Sequence, residues 1–430
     1  MKFTTLGCRL NQAESDSMSE QLAAHGLRQS DDGDPDVVVI NTCTVTREAT
    51  KASRMAIRRA ARNHPGAKVV VVGCYAVSDP DEIRAIDGVD VVLGNDVKEN
   101  FAQALGLQAP TAPLLDIGFA GRPDFSAVQT ARVRANLKVQ TGCDEWCTFC
   151  IIPTTRGPLR SMDYEGLIDE ARARVAAGAR EIVLTGVHLG KYGYDAGGDE
   201  RDLLRLLTGL LAIQGLWRIR LSSILSNHLT EEVVEFLASE PRICPHLHVP
   251  LQSGDEGVLE EMHRPYRIAE YLASVEWAVA RIPGLALATD IIVGFPGETD
   301  AAFAATMDVV RRVRFSKLHV FRYSSRPGTP SAELPDQVSP DVKKVRSKRL
   351  IDLGNEIRGE FLSEHLGRRL DVLVEDERSV DGIGVASGQT GDYVRVFFEG
   401  ENLLGSMVQV EGERIRADGV AGHLVPVLRR

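Results

Sequence analysis

Three closely spaced cysteines have the clearest chemical meaning in this sequence. Cys143, Cys147 and Cys150 are separated by three and by two residues, directly after a strand-like run at 137–140. Disulfides require specific pairing geometry, so three neighbouring thiols fit a metal better. Zinc sites usually take further Cys or His ligands from a second short motif, and none follows at a suitable spacing. A four-iron cluster takes four ligands, so three cysteines would leave one iron open for a substrate.

The residues alone leave two alternatives open, a zinc knuckle and three buried core cysteines. The spacing C-x3-C-x2-C, with an aromatic residue (Phe149) before the last cysteine, resembles the motif of the radical S-adenosylmethionine (SAM) enzymes. The resemblance implies that the open iron is chelated by the amino and carboxylate groups of SAM. It also implies that an electron from the cluster cleaves SAM to methionine and a 5′-deoxyadenosyl radical.

A second set of three cysteines, Cys8, Cys43 and Cys74, lies in the first part of the chain. Each follows a predicted strand by one to three residues, and these strands are 2–7, 37–40 and 68–72. Helices predicted at 12–25 and 47–63 separate the strands, which indicates a parallel sheet covered on both faces. Ligands of such sheets bind at the carboxyl edge of the strands. We therefore expect the three thiols to meet in a second iron–sulfur site; the alternative is three unrelated small buried residues.

The segments around these cysteines resemble those of the methylthiotransferase family. The matching stretches are Leu6-Gly-Cys8-Arg-Leu-Asn11-Gln-Ala-Glu14, Asn41-Thr-Cys43-Thr-Val-Thr46 and Gly73-Cys74-Tyr75-Ala. The resemblance implies that residues 1–108 form an N-terminal parallel α/β domain that holds an auxiliary cluster. In that family, the open iron of the auxiliary cluster binds or supplies the sulfur that is inserted.

Strand and helix patterns alternate about six times between residues 136 and 326. The predicted strands are 137–140, 181–185, 217–223, 246–251, 287–293 and 317–323. The amphipathic runs between them are 164–177, 203–213, 231–239, 269–281 and 301–313. Six such units predict a partial (β/α)6 TIM-like barrel, which the resemblance identifies as the radical SAM core over 132–366. The Pro- and Gly-containing residues 109–131 before it are predicted to be a linker.

Candidate SAM-binding residues follow the predicted barrel strands, where the catalytic groups of such barrels gather. Gly186 occupies the place of the family's glycine-rich turn, although Thr185-Gly186-Val187 departs from the common Gly-Gly-Glu form. Ser222, Gln252 and Asp290 follow later strands, and we expect them, with Phe149, to contact SAM. For each residue alone, a capping or turn role explains the pattern equally well.

Short strand-like runs return after Gly367, at 370–374, 394–398 and 403–410. Turn residues separate them and predict a small β-barrel over 367–430. Its position resembles the TRAM domain, an RNA-binding barrel at the end of many methylthiotransferases. From Asp371 to Arg430 there are eleven Asp or Glu and six Lys or Arg, so this barrel is more acidic than RNA binding favours. Basic clusters lie elsewhere, at 47–62, 311–326 and 343–349; such clusters either follow phosphates or form solvated helix faces.

Two histidines and one further cysteine receive structural explanations. His246 and His248 share one face of a predicted strand, where they are either ligands or hydrogen-bonded barrel filling. Cys244, at the start of that strand, is predicted to be an ordinary buried thiol.

Composition and charge exclude several classes of protein. The 430 residues carry a formal net charge of −10, with 43% apolar and 26% charged residues. This composition is ordinary for a globular protein and argues weakly against a broad nucleic-acid binder. No apolar run approaches the roughly 18 residues of a membrane span, and the first residues do not resemble a signal peptide. Seven cysteines without the density of a disulfide scaffold indicate a reducing, cytoplasmic location.

The family resemblance implies an enzyme that replaces a C–H hydrogen with a methylthio group, using SAM and two 4Fe–4S clusters. The cysteine segments are most similar to the MtaB branch, which acts at carbon 2 of N6-threonylcarbamoyladenosine beside the anticodon of tRNA. The alternatives are the branches for isopentenyladenosine in tRNA and for an aspartate of a ribosomal protein. The implied partners are tRNA, an electron donor such as flavodoxin or ferredoxin, and a sulfur source, without a membrane.

Two further hypotheses come from other classes of protein. One is a cobalamin-dependent radical SAM methyltransferase, although the first 110 residues contain no Asp-x-His-x-x-Gly pattern for a cobalamin ligand. The other is a non-catalytic RNA-binding scaffold with structural zinc. Iron, cobalt and zinc contents of the purified protein distinguish the three.

Overall fold

The computed structural model describes residues 1–29, 34–107, 132–380 and 383–425. The predicted linker at 109–131 lies outside the described residues. The α/β fold class is confirmed: a parallel sheet, an open parallel barrel and a closed β-barrel follow one another along the chain. Within the described ranges, no helix has the length and apolar character that crossing a bilayer requires.

The N-terminal sheet is parallel, with its strands in the order β1-β2-β3-β4. Its elements are β1 (Lys2–Thr5), α1 (Arg9–Ala24), β2 (Val37–Thr42), α2 (Arg47–Asn63), β3 (Lys68–Gly73), α3 (Cys74–Ser78), α4 (Pro80–Arg84), β4 (Val91–Val92) and α5 (Phe101–Ala104). Successive side chains of a strand point to opposite faces. Val38 therefore packs with Ile57 of α2, and Val39 packs with Met18 of α1. Because both faces are covered, the two central strands consist mainly of apolar residues, at 37–40 in β2 and at 69–72 in β3.

The central region forms a curved parallel sheet of six strands separated by helices. In chain order its elements are β5 (Arg134–Lys138), β6 (Gln140–Thr141), α6 (Ile152–Arg156), β7 (Arg160–Ser161), α7 (Tyr164–Ala176), β8 (Glu181–Thr185), α8 (Glu200–Leu211), β9 (Arg218–Leu221), α9 (Glu231–Ser239), β10 (His246–His248), α10 (Glu256–Glu261), α11 (Ile268–Arg281), β11 (Ala286–Val293), α12 (Asp300–Val313), β12 (Lys317–Arg322) and α13 (Pro340–Ser363). Strands β5, β8 and β9 form one half, and β10, β11 and β12 the other. Parallel bridges from Ile219 to Ile243 and from Ser223 to His248 join the halves.

The six predicted strands are confirmed; one end of the first and one end of the fourth lie three residues from the predicted position, and all other ends lie within two residues. The first strand spans Arg134–Lys138 instead of 137–140, and it ends early because Gln140 and Thr141 pair with Ser161 and Arg160 in a separate antiparallel ribbon. The strand predicted at 246–251 ends at His248, since Pro250 cannot donate a backbone hydrogen bond to the sheet. Helix α1 begins at Arg9 rather than at residue 12, directly after the extended backbone of Cys8.

The N-terminal region contacts both edges of the partial barrel. Along edge strand β5, Lys138 Nζ lies 3.3 Å from Glu14 Oε1 of α1. Near the end of edge strand β12, Arg322 lies 3.4 Å from Glu48 of α2. The open side of the parallel barrel is therefore bordered by α1 and α2, whose first residues follow Cys8 and Cys43.

The C-terminal region is a closed barrel of five strands in the order β13-β14-β15-β17-β16. These are β13 (Arg369–Val380), β14 (Ile383–Gln389), β15 (Arg395–Glu399), β16 (Met407–Arg416) and β17 (Gly419–Leu424). The predicted small β-barrel is confirmed, but β14 and β17 were not predicted. Each contains two glycines (Gly384, Gly388, Gly419 and Gly422), which obscure the alternation of apolar residues that marks a strand.

His365, just after α13, attaches this barrel to the rest of the chain. Its Nδ1 lies 2.9 Å from Phe361 O, and its Nε2 lies 2.6 Å from Asp392 Oδ2. Burial disfavours the imidazolium, but the hydrogen bond and charge of Asp392 outweigh burial and raise the pKa of His365. This contribution to stability is complete below the unfolded histidine pKa of about 6.5 and is lost as pH rises through the raised folded pKa.

We expect Asp392→Asn to lower the free energy of unfolding by about 1.5–3 kcal/mol at pH 6, the range for a hydrogen bond to a charged group. The loss is expected to be smaller at pH 9, where His365 is neutral. The exposed pair of His423 and Glu413 provides the control: Glu413→Gln should change stability by less than about 1 kcal/mol. Urea titrations at both pH values measure these losses, and an equal loss at pH 6 and pH 9 would contradict the ion pair.

Candidate functional site

The loop that carries Cys143, Cys147 and Cys150 lies between β6 and α6. Cys143 and Cys147 are buried and Cys150 is half-buried. The backbone N–H of Glu145 lies 3.4 Å from Cys143 Sγ, and that of Ile152 lies 3.5 Å from Cys150 Sγ. Two of the three sulfurs are thus approached by N–H donors, which favour a thiolate over a thiol.

The third sulfur of this loop is approached by a guanidinium. Arg264 Nη1 lies 3.2 Å from Cys147 Sγ, and Arg264 Nε donates to Tyr266 Oη at 3.0 Å. The Tyr266 hydroxyl in turn donates to the carbonyl of Pro250 at 2.7 Å. Sequence patterns assigned these two residues no function. In the sequence they lie in the short block Met262-His-Arg264-Pro-Tyr266, and nothing in this block predicts a contact with Cys147.

The thiols of Cys143 and Cys150 are protonated at neutral pH unless a metal binds them. Burial raises the pKa of Cys143 to about 11 and that of Cys150 to about 12, with the Cys147 thiol adding to both shifts. Metal binding must therefore displace protons. Three thiols supported by two N–H groups and one guanidinium suit an anionic iron–sulfur cluster.

Cys8, Cys43 and Cys74 lie together at the carboxyl edge of the N-terminal sheet. Burial raises the pKa of Cys43 to about 11, and the neighbouring thiols of Cys74 and Cys8 raise it as well. Gly7, at φ +96°, allows Cys43 to lie this close, since a Cβ at residue 7 would be 2.9 Å from Cys43 Sγ. The three cysteines therefore lie near one another, as expected from their positions after parallel strands.

Neither cysteine set has the geometry of a single-ion site. Among the described residues, no group of three or more Cys, His, Asp or Glu side chains is arranged to hold one metal ion. Cysteines that hold an iron–sulfur cluster ligate several irons, so they need not converge on one point.

The two cysteine sets are joined through Asn95 and α6. Asn95 Nδ2 lies 3.7 Å from Cys74 Sγ and donates to Thr155 O at 2.8 Å. Thr155 belongs to α6, the short helix that begins two residues after Cys150. The Asn95 side chain thus connects the set of Cys8, Cys43 and Cys74 with the helix that follows Cys150.

A buried network of charges lies beside the same two sets. Arg156 of α6 binds Glu14 of α1 through two nitrogens, at 2.7 Å and 3.1 Å, and Lys98 Nζ lies 2.6 Å from Glu14 Oε2. Burial alone would raise the pKa of Glu14, but Lys98, Arg156 and Lys138 hold it well below its ordinary value. Three cations surround one carboxylate, so the network has an excess of positive charge. Burial alone would lower the pKa of Arg156, but Glu14 raises it and Cys74 and Cys8 add to the increase, so the excess positive charge lies close to the N-terminal cysteines.

Two asparagines connect this network to the cysteine loops. Asn11 Nδ2 donates to Leu6 O at 2.7 Å and to Thr42 O at 3.0 Å, and its Oδ1 accepts from Arg156 Nη2 at 2.5 Å. Asn41 Oδ1 accepts from Lys98 Nζ at 2.9 Å. The backbone next to Cys8 and Cys43 is therefore held by the same groups that bind Glu14.

Gly186 lies against Gln140, just before the cysteine loop. Gln140 Oε1 accepts from the N–H groups of Val187 and His188, both at 2.8 Å. Its Nε2 donates to the carbonyls of Thr141 and Gly142, both at 2.7 Å. Gln140 thus ties the glycine turn to the start of the loop that holds Cys143.

We expect Gly186→Ala to lower the free energy of unfolding by about 1–3 kcal/mol, as overpacking does. A Cβ at this position would lie 3.0 Å from Gln140 Oε1, and Gln140 cannot move without losing hydrogen bonds. Gly359, in α13, provides the control, because a Cβ added there would meet no atom within 4 Å. Gly359→Ala should stabilise the helix by roughly 0.5–1 kcal/mol. Urea titration of both variants measures these changes. If Gly186→Ala left the free energy of unfolding unchanged, the close packing of Gly186 against Gln140 would be contradicted.

The remaining predicted SAM-binding residues on the barrel are Ser222, Gln252 and Asp290. Ser222 follows β9 directly and Gln252 lies four residues beyond the end of β10, but Asp290 lies within β11 and not after a strand as expected. Ser222 Oγ is buried and has no hydrogen-bond partner among the described residues. Gln252 adopts φ +65°, and its N–H donates to Asp290 O at 2.8 Å. The Asp290 carboxylate lies 3.0 Å from His248 Nε2, and His248 Nδ1 lies 2.9 Å from Ser223 Oγ. A positive φ at a buried non-glycine residue is strained and typical of functional sites.

Phe149 is half-buried against a cluster that includes Val258, Met262, Phe295 and Tyr323. Cys244 is a buried thiol beside Arg220 and Glu181, at the opposite end of the strands, which agrees with the structural role predicted for it. The basic residues of 311–326 mostly form surface ion pairs: Arg311 with Asp308, Arg312 with Glu276, Arg314 with Glu360, and Arg322 with Glu48.

Comparison with known proteins agrees with this architecture. Residues 1–94 match the family described as Uncharacterized protein family UPF0004, and residues 137–310 match the Radical SAM superfamily. The superfamily implies a 4Fe–4S cluster and SAM. In overall fold the chain resembles the radical SAM methyltransferase TsrM from Kitasatospora setae, solved with cobalamin and a [4Fe-4S] cluster. The TM-score is 0.55 with 15% identity, covering 77% of this chain and 73% of that one, and this likeness concerns the fold alone.

Two curated relatives match almost the whole chain. The chain is 39% identical to threonylcarbamoyladenosine tRNA methylthiotransferase MtaB of Bacillus subtilis (strain 168), covering 95% of this chain and 92% of that protein. It is 32% identical to tRNA-2-methylthio-N(6)-dimethylallyladenosine synthase of Endomicrobium trichonymphae, covering 98% and 99%. The chain therefore belongs to the radical SAM family of tRNA methylthiotransferases.

Proposed function

We propose that this enzyme transfers a methylthio group to carbon 2 of N6-threonylcarbamoyladenosine beside the anticodon of tRNA, using SAM and two 4Fe–4S clusters. The observation that carries this proposal is the pair of three-cysteine sets joined by Asn95 and by the network around Glu14. The 39% identity to a threonylcarbamoyladenosine tRNA methylthiotransferase supports the choice of substrate.

A C–H group of adenine has no acidity that a side-chain base can use. When bound, the clusters and SAM supply the radical that activates the C–H bond and the sulfur that replaces its hydrogen. Cys143, Cys147 and Cys150 would hold the cluster that binds SAM, and Cys8, Cys43 and Cys74 the one that provides sulfur. Placing sulfur next to the activated carbon requires fixed positions for both sites.

The surrounding residues hold these positions. Arg264 places a cation on Cys147, and Tyr266 orients that guanidinium. Arg156, Lys98 and Asn11 hold the backbone on either side of the sulfur-providing site. Gly186, Ser222 and Gln252, which follow barrel strands, and Asp290, which lies within β11, are the proposed SAM contacts. We propose a cytoplasmic location, with a flavodoxin or ferredoxin as electron donor and a separate sulfur source.

Mass spectrometry of tRNA nucleosides from a deletion strain tests the substrate. Loss of the methylthio form of threonylcarbamoyladenosine, with the isopentenyl nucleoside unaffected, is the expected result. If the methylthio form of isopentenyladenosine were lost instead, isopentenyladenosine would be the substrate. In the anaerobically purified protein, two four-iron clusters predict about eight irons per chain. Stoichiometric cobalt or zinc without this iron would overturn the two-cluster proposal.

A further inference from the structure

The lumen of the partial barrel has a floor of arginines. We use lumen for the space lined by the inward-facing side chains of β5 and β8 to β12, whose outward-facing neighbours pack in the main hydrophobic core. Glu181 of β8 is fully buried there and accepts from Arg220 Nε at 2.8 Å, and it also pairs with Arg218 and with Arg134. Arg134 has a second carboxylate, Glu375, at 2.9 Å.

A loop of the C-terminal barrel enters this floor. The carbonyls of Gln389, Thr390 and Gly391, between β14 and β15, accept hydrogen bonds from Arg218 and Arg220 at 2.8–3.0 Å. Tyr393 follows with φ +71°, a conformation that a bulky residue adopts only when its surroundings impose it. The guanidinium carbons of Arg220, Arg9 and Arg134 lie 4.5, 5.1 and 5.4 Å from the centre of the Tyr393 ring.

Arg9 differs from the other arginines of the floor. It comes from the N-terminal region, immediately after Cys8, and its guanidinium donates to Tyr393 Oη. Arg134, Arg218 and Arg220 each have a carboxylate partner. Among the described residues, no carboxylate lies within 4 Å of the Arg9 guanidinium. A sheltered cation without an anion is costly unless a ligand provides one.

The lumen is accessible to solvent beside β12. On β12 the inward-facing His319 and Phe321 are exposed, with Phe321 at 40%. The rings of His319 and His248 lie 5.5 Å apart. An aromatic face and two imidazoles suit a planar base, and an exposed aromatic ring in such a site stacks on bases of any sequence.

We propose that Arg9 binds the carboxylate of the threonine group on the substrate adenosine, and that the Tyr393 loop holds Arg9 in the lumen for this purpose. The inference rests on the proposed substrate. Among the adenosines considered above, threonylcarbamoyladenosine carries a carboxylate and isopentenyladenosine does not. A guanidinium matches a carboxylate with two parallel N–H donors, so Arg9 would distinguish the two substrates. Because Arg9 directly follows Cys8, adjacent residues would provide a ligand of the sulfur-providing site and the contact to the substrate carboxylate.

Binding without turnover tests this role. The anaerobic holoenzyme, without reductant, is titrated with three anticodon stem-loops that carry adenosine, isopentenyladenosine or threonylcarbamoyladenosine at the modified position. Arg9→Gln is expected to weaken binding of the threonylcarbamoyl stem-loop roughly 10- to 100-fold, as loss of a charged hydrogen bond does. Binding of the other two should change less than about twofold. Arg9→Lys keeps the charge and should retain part of the preference, and Tyr393→Phe should show an intermediate loss.

Arg281→Gln is the matched control, since Arg281 also lies over an aromatic ring, Trp277, but at the outer surface and paired with Glu235. Iron content and SAM affinity of Arg9→Gln should equal those of the wild type. The proposal is overturned if Arg9→Gln still prefers the threonylcarbamoyl stem-loop, weakens all three equally, or loses SAM affinity. A wild-type enzyme that leaves threonylcarbamoyladenosine unmodified would instead defeat the proposed function, and this inference with it. If the wild-type enzyme modifies threonylcarbamoyladenosine but Arg9→Gln keeps the wild-type preference among the stem-loops, only the role of Arg9 is wrong.

Discussion

Cys43→Ala is expected to abolish methylthio transfer while leaving reductive cleavage of SAM in place. Cys43 lies with Cys8 and Cys74 at the carboxyl edge of the N-terminal sheet, and Cys143, Cys147 and Cys150 lie in a separate loop of the central barrel. Removal of one thiol from the N-terminal set should eliminate one of the two clusters and so reduce the iron content from about eight to about four per chain. Iron and sulfide analysis, with quantification of 5′-deoxyadenosine and of methylthiolated nucleoside, measures all three quantities.

Cys244→Ala is the matched control for this experiment. Cys244 is also a buried thiol, but it lies beside Arg220 and Glu181, away from both cysteine sets. We expect its replacement to leave the iron content and the product unchanged. If Cys43→Ala retained eight irons, or lost both clusters together, the assignment of two separate cysteine sets would be wrong.

Arg156→Met is expected to lower the free energy of unfolding by about 3–5 kcal/mol, the effect of removing one partner from a buried ion pair. The Arg156 side chain is 1% exposed and that of Glu14 is 2% exposed, so water cannot replace the lost hydrogen bonds. The change also releases Asn11, which holds the backbone beside Cys8 and Cys43. Urea titration of the protein without metal measures the stability, and iron reconstitution measures the effect on the sulfur-providing site.

Arg160→Met separates this effect from the general loss of an arginine. Arg160 lies four residues further along the chain and pairs with Glu99, but both side chains are more than a third exposed. Its replacement should change the free energy of unfolding by less than about 1 kcal/mol, as for surface pairs. Comparable losses in the two variants would mean that the burial of Arg156 contributes little.

Local patterns predicted most of the fold because apolar periodicity reports burial directly. The runs Val37–Thr42 and Lys68–Gly73 became central strands of a sheet covered on both faces. The meeting of Cys8, Cys43 and Cys74 was also predictable, because equivalent positions after parallel strands reach the same edge. The glycine-rich strands β14 and β17 escaped prediction, since a strand without side chains on alternate positions has no readable pattern.

The supporting residues of the site could not be predicted in this way. Lys98 lies in a short turn with no local signal, yet it is fully buried against Glu14, which is 84 residues earlier in the chain. Nothing in the sequence around Arg264 indicates a role at the site, but its guanidinium contacts Cys147, which is 117 residues earlier in the chain. Pairing of charges over such separations depends on how the regions pack together, and no short-range pattern records that packing.

The contact between Arg9 and Tyr393 joins residues that are 384 positions apart. Arg9 is synthesised near the start of translation and Tyr393 near its end. N-terminal regions generally fold first as the chain emerges from the ribosome. The first turn of α1, which follows Cys8, therefore lacks its contact with Tyr393 until almost all of the polypeptide has been made. Insertion of iron and sulfide into the N-terminal cysteine set would accordingly be completed after synthesis, on the full-length chain.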